Sequence, residues 1–263
     1  MRILHINSYF NGSIFYRNLY DEQVKDNLNI NVFVPVSKHV DNENDFGSYT
    51  KISYNFSEYD RLFFHWKHSK ILADVKLKYN ISDFNVIHAH SLFSNGFIAM
   101  KLKEQYSIPY VVAVRNTDVN IFFKRMVHLR RTGVNILRNA EQIVFLSKSY
   151  RDQVLQKYIP KRLRKTIYSK SSIIPNGVDQ FWLRNIGSPK QMLTKRELNL
   201  LQVGDINKNK NISATIKAMD ILMDKGYKIK LDVVGRVKDQ RVFNLIKASK
   251  HVNYLGYKSK EEL

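Results

Sequence analysis

Cysteine is absent from all 263 residues. That excludes a disulfide framework, a thiolate metal site and a thiol nucleophile, and it fits a reducing compartment. Long apolar runs are also missing. No stretch approaches the ~20 residues that cross a bilayer as a helix. The opening Met1-Arg2-Ile3-Leu4-His5-Ile6-Asn7 lacks the long apolar core of a secretion signal and reads as a first strand. Acidic residues are few: 23 Asp and Glu face 43 Lys and Arg, for a net charge of +20.

The excess of positive charge is local. From Lys124 to Lys170 there are thirteen Lys or Arg against two acids, Glu141 and Asp152. Such a patch attracts anionic lipid or nucleic acid at long range. A solvated basic face explains it equally well. The basic residues do not form a reading motif such as an RRM or helix-turn-helix signature, so nucleic acid is not an expected partner.

With 44% hydrophobic and 25% charged residues, the chain can bury a core. Its length suits one large or two modest domains. Short apolar runs predict strands at 3–6, 30–34, 86–88, 110–114, 143–146, 172–174, 198–203, 230–234 and 252–255. Several do not alternate, as in Tyr110-Val111-Val112-Ala113-Val114. Strands buried on both faces of a parallel sheet read this way. Helical stripes lie between them, at Phe93, Phe97 and Met100, and at Ile212, Ile216, Met219 and Met223 before the stop signal Gly226. This alternation predicts doubly wound α/β sheets. Asp41 to Tyr59 is aperiodic and reads as a long loop. The mixed Gly, Pro and polar stretch at 176–196 reads as a linker between a domain at 1–175 and another at 197–263.

Three late strands end at or near glycine: Leu200-Leu201-Gln202-Val203-Gly204, Leu231-Asp232-Val233-Val234-Gly235 and Val252-Asn253-Tyr254-Leu255-Gly256. Glycine after a strand lets backbone approach a ligand, and a following helix turns its amide dipole toward phosphate. With Ile174-Pro175-Asn176-Gly177-Val178-Asp179 before them and Lys210-Asn211 among them, these segments resemble the start of the C-terminal domain of a family 4 glycosyltransferase. The pattern Val86-Ile87-His88-Ala89-His90 followed by Gly96 resembles that family's N-terminal domain.

The resemblance implies the GT-B fold: two doubly wound Rossmann-like domains facing a cleft. The chain stops at Glu261-Glu262-Leu263, before the family's pair of glutamates, so the second domain is expected to be incomplete. The implied activity is retaining transfer of a hexosyl-type sugar from a nucleotide-diphosphate donor to a glycan or lipid-linked acceptor, in surface polysaccharide synthesis. The nucleotide sugar is substrate; no cofactor and no metal are implied. A cytoplasmic location follows, with peripheral binding to an anionic inner leaflet through Lys124–Lys170. The alternative is a non-catalytic, truncated or partner-dependent relative.

Site residues follow position by position. Gly12 lies in Asn7-Ser8-Tyr9-Phe10-Asn11-Gly12-Ser13, where the family runs a loop under the donor phosphates; an ordinary strand-to-helix turn capped by Ser13 also accounts for it. Gly204, Lys208, Lys210 and Gly235 are expected at the donor. Lys210 matches a family lysine, whereas Asp205 stands where arginine is common, a charge reversal that Lys208 could offset. Arg115 and Asp118, in Val114-Arg115-Asn116-Thr117-Asp118, are the expected catalytic pair. Arg115 replaces a family histidine and could grip an acidic group bidentately. Asp118 could instead cap a helix starting near Val119. His90 and Asn116 are expected at the acceptor, with His88 structural. Two histidines spaced by two could hold metal, but no third ligand is visible nearby in the sequence.

Overall fold

The computed structural model describes residues 1–10, 14–37, 46–187 and 197–262. The chain divides into two compact units, Met1–Asn185 and Ile186–Leu263.

The first unit carries β1 (Arg2–Ile6), α1 (Ile14–Lys25), β2 (Asn29–Val36), β3 (Thr50–Tyr54), α2 (Phe64–Lys78), β4 (Val86–Ala89), α3 (Ser94–Tyr106), β5 (Tyr110–Val114), α4 (Arg130–Asn139), β6 (Gln142–Phe145), α5 (Lys148–Lys157), α6 (Lys161–Ser169), β7 (Ser171–Ile173) and α7 (Gln180–Arg184). Its sheet is parallel throughout, in the order β3-β2-β1-β4-β5-β6-β7. The chain winds outward from β1 to β3, then returns to β4 on the other side of β1. That reversal makes the carboxyl ends of β1 and β4 the switch point where open α/β sheets bind ligands. The apolar β5 is buried at four of its five positions, and α3 is buried along most of its length. Phe93 and Phe123 are fully buried; each such side chain contributes about 1.5–3 kcal/mol.

The second unit carries β8 (Glu197–Val203), α8 (Ile212–Asp224), β9 (Lys228–Val234), α9 (Gln240–Ala248) and β10 (Val252–Tyr254), with parallel sheet order β10-β9-β8. Its core gathers Ile206, Ile212, Met219, Leu231, Val233 and Ile246. The stripe on α8 turns inward as its period requires, and Gly226 ends the helix with a left-handed φ of 85°.

One expectation is corrected. The loop read at Asp41–Tyr59 contains β3, paired along the outer edge of β2. Only Ser53 of its five residues is buried, so an edge strand with no apolar run gave no signal. The units divide at 185/186, inside the stretch read as linker, whose first part carries α7 and is tied to the first unit. Asn18 donates to Asp179 at 3.0 Å, and Arg115 donates to Asn176 at 2.9 Å. Residues 188–196 of that stretch, and Gly12 with Ser13, lie outside the described residues.

Candidate functional site

In the first unit, β4 and β5 deliver residues 90–93 and 115–118 to the same sheet edge. After β5 the backbone enters a wide π-helical turn, Asp118–Phe123. The Asp118 side chain points back from that turn. One oxygen accepts from Leu92 N at 3.0 Å and Arg115 N at 2.8 Å; the other accepts from Phe93 N at 3.1 Å. Leu92 and Phe93 lead into α3, so the carboxylate serves amides that the helix start leaves unpaired. Asp118 is fully buried. Burial pushes its carboxyl up from 3.8 to about 6, while the three amides pull the other way. The cap expected on its own helix is thus a cap on a neighbouring one. In this arrangement Asp118 positions two loops and exposes no atom to a ligand.

Arg115 is half-buried. Its Nε donates to the His90 carbonyl at 3.1 Å and its Nη1 to Asn176 Oδ1 at 2.9 Å. Asn116 is exposed and accepts from Asn120 Nδ2 at 2.7 Å. The sequence-predicted residues 90, 115, 116 and 118 therefore converge at one edge.

The His90 ring lies underneath that edge, fully buried, while His88 keeps partial exposure. This reverses the expected split between a structural His88 and an outward His90. The reason is a third histidine that sequence reading missed. His5 on β1 sits in register beside His88 on β4, and His5 Nδ1 lies 3.0 Å from His90 Nε2. Tyr20 Oη, which accepts from Asn7 Nδ2 at 2.9 Å, lies 3.1 Å from the same His90 nitrogen. His88 and His90 stack with centroids 4.1 Å apart. Burial pulls all three imidazoles down, His88 to about 4 and the other two well below the ordinary range; neighbouring histidines lower His5 and His90 further, and Arg115 lowers His88 and His90.

In the second unit the strand ends form a glycine ridge. Gly204 N donates to Val234 O and Gly235 N donates to Gly256 O, both at 2.8 Å. Gly204 has φ 145° and Gly235 φ 152°. A Cβ on Gly235 would stand 2.0 Å from the Gly204 oxygen, so no other residue fits there without backbone movement. Lys210 lays its methylenes over Gly204, with Cε 3.2 Å from where a Cβ would be. Asn207 caps the short turn Lys208–Lys210 through Asn209 N and Lys210 N. The expected donor residues Gly204, Lys210 and Gly235 thus meet at one sheet edge, with Lys208 exposed on the adjoining turn. Such an edge offers bare backbone, helix-start amides and a lysine, a set suited to phosphate.

The pattern of Glycosyltransferase Family 4 matches residues 12–180. The chain belongs to that family. An uncharacterized glycosyltransferase of Methanocaldococcus jannaschii is 25% identical over 182 residues, covering 68% of this chain and 45% of the relative. The family 4 chain therefore spans less than half the length of that curated relative. Among solved structures, the Arabidopsis thaliana starch synthase IV catalytic domain, bound to ADP and acarbose, aligns over 99% of this chain and 75% of its own with TM-score 0.61 and 11% identity. An E. coli protein described as trehalose-6-phosphate bound with UDP-2-fluoro glucose aligns over 100% and 75%, TM-score 0.64, 11% identity. A UDP-N-acetylglucosamine 2-epimerase of Rickettsia bellii aligns over 99% and 70%, TM-score 0.53, 11% identity. These likenesses establish the α/β GT-B fold, with the second domain the smaller. Because an epimerase shares it, the fold alone does not decide the chemistry.

Proposed function

We propose that this family 4 protein transfers a sugar, with retention, from a nucleotide-diphosphate donor to a hydroxyl of a glycan or lipid-linked acceptor during surface polysaccharide synthesis. The observation that carries the reading is the ridge at Gly204 and Gly235 with Lys210 folded over it. Diphosphate set there meets the amides at the start of α8 and the Lys210 ammonium, and fixed positive charge favours the leaving group as the sugar bond breaks. Neighbours of this fold are described as bound to ADP or to UDP-2-fluoro glucose, which supports a nucleotide donor. Arg115 and Asn116, at the exposed edge of the first unit, are the acceptor contacts in this reading. Asp118 and His90 act through them as positioning residues.

Titration of the protein with uridine, guanosine and adenosine diphosphates tests the reading. Saturable binding of one of them, weakened about tenfold in Lys210→Ala, supports it; a missing charge-assisted contact of about 1.5 kcal/mol accounts for that factor. No binding of any of the three favours a non-catalytic relative.

Membrane association is a second layer of the proposal. Among the described residues no helix is long and apolar enough to cross a membrane. Within the basic window, Arg130, Arg164 and Lys170 turn onto carbonyls at or near helix ends, at 2.6–2.7 Å for their shortest bonds. Lys124, Arg131, Lys161, Arg162 and Lys165 stay exposed, and we place them against the anionic cytoplasmic leaflet. Vesicle cosedimentation that ignores anionic lipid content would remove this layer.

A further inference from the structure

We propose that His5, His88 and His90 form a binding site for a zinc-class divalent metal ion. One ligand nitrogen from each lies within 4.8 Å of the other two. Strand register places His5 beside His88, and His90 follows directly after β4. Rigid strands hold such constellations better than loops do. His5 Nδ1 and His90 Nε2 already stand 3.0 Å apart, close to the ~3.3 Å that two nitrogens adopt around a tetrahedral ion with ~2.0–2.1 Å bonds. His88, whose ligand nitrogen lies within 4.8 Å of the other two, is the partly exposed member.

The hydrogen-bond accounting also accommodates an ion. Without one, a single proton is shared between His5 Nδ1 and His90 Nε2, on one ring or the other according to tautomer. His5 Nε2 and the Gln23 side-chain oxygen beside it are both buried, and neither has any other partner. With an ion on Nδ1, the ring proton sits on Nε2 and faces Gln23. The outer-shell bond that metal-ligating histidines nearly always make is then formed. Tyr20 Oη, 3.1 Å from His90 Nε2, adds an oxygen next to the same point. Three neutral imidazoles without cysteine suit zinc, copper, nickel or iron better than magnesium or calcium. Arg115 opposes a cation by its charge; its Nε and Nη1 are turned to the His90 carbonyl and to Asn176.

The test uses the whole protein after chelator treatment. Zinc chloride is titrated by calorimetry, and cobalt chloride by visible absorption. One saturable zinc site at micromolar or tighter affinity is expected, with a cobalt spectrum of low-symmetry, nitrogen-rich coordination. His5→Gln and His88→Gln should each weaken zinc by more than about 100-fold, beyond what outer-shell changes cause. Should either variant fail to fold, Gln23→Ala serves, with an expected loss of about 10–100-fold. Absence of a saturable site, or affinity unchanged in the folded variants, overturns the proposal.

Discussion

Asp118→Asn sets two physical effects against each other. The carboxyl is fully buried and accepts three backbone amides. Burial raises its pKa and the amides lower it; the balance stands at about 6 against an ordinary 3.8. The folded protein therefore holds this proton where the unfolded chain has released it. Between those two values the folded state binds more protons, so stability falls as pH rises through the window and levels off above it. The gap corresponds to about 3 kcal/mol, at 1.36 kcal/mol for each factor of ten.

Asparagine is a neutral isostere that does not titrate. At pH 4 it replaces a largely neutral acid, and its one amide oxygen can keep Leu92 N and Arg115 N. Its NH2 then faces Phe93 N–H, a buried mismatch of about 1–3 kcal/mol. As the pH climbs to 7 the wild-type protein loses about 3 kcal/mol and the variant does not. The variant's deficit should shrink toward zero or reverse. Urea unfolding at several pH values, followed by tryptophan fluorescence, reads this directly, because Trp66 and Trp182 both lie in the first unit. A deficit that grows with pH would refute the reasoning, since it would mean that the three amides outweigh burial.

Three further outcomes are expected. Gly235→Ala drives a Cβ to 2.0 Å from the Gly204 oxygen; a destabilisation of the second unit by about 3 kcal/mol, with loss of nucleotide binding, is checked by thermal melting and calorimetry. Lys210→Ala, at an exposed side chain, should leave the melting temperature within about a degree, because surface changes stay within ±0.5 kcal/mol, while weakening the diphosphate. Gly133→Ala places a Cβ 2.5 Å from Phe93 and 2.9 Å from Phe123. Overpacking of about 1–3 kcal/mol outweighs the gain of up to about 1 kcal/mol from the better helix former, so urea midpoints of the first unit should fall.

What sequence made legible was local. β5 announced itself because burial on both faces leaves an unbroken apolar run, and the strand-end glycines at 204 and 235 did so because a residue without Cβ follows an apolar run. β3 stayed hidden because an edge strand that buries little needs no such run. The two clusters that give the first unit its character depend on pairing between distant segments. Asp118 meets Leu92 and Phe93, 26 and 25 residues away, and His5 meets His90, 85 residues away. Neither spacing has meaning until β1, β4 and β5 are set side by side. The motif His88-Ala89-His90 was visible, but its partner was supplied by register, and register also decided which ring turned inward.

The same distinction governs how far function can be carried. A GT-B scaffold hosts both transferases and an epimerase, so strand order cannot separate them. Both chemistries can use a bare glycine edge under a diphosphate; only transfer also requires a second hydroxyl to be held near the donor sugar. In the proposed reading that requirement falls on exposed Asn116 and on half-buried Arg115, which is anchored at two points and so presented with little entropy left to lose. An Arg115→Ala variant that keeps nucleotide affinity but loses acceptor-dependent turnover would assign the first unit to acceptor recognition. Equal loss of both would assign Arg115 to holding Asn176 and the segment after β7 in place.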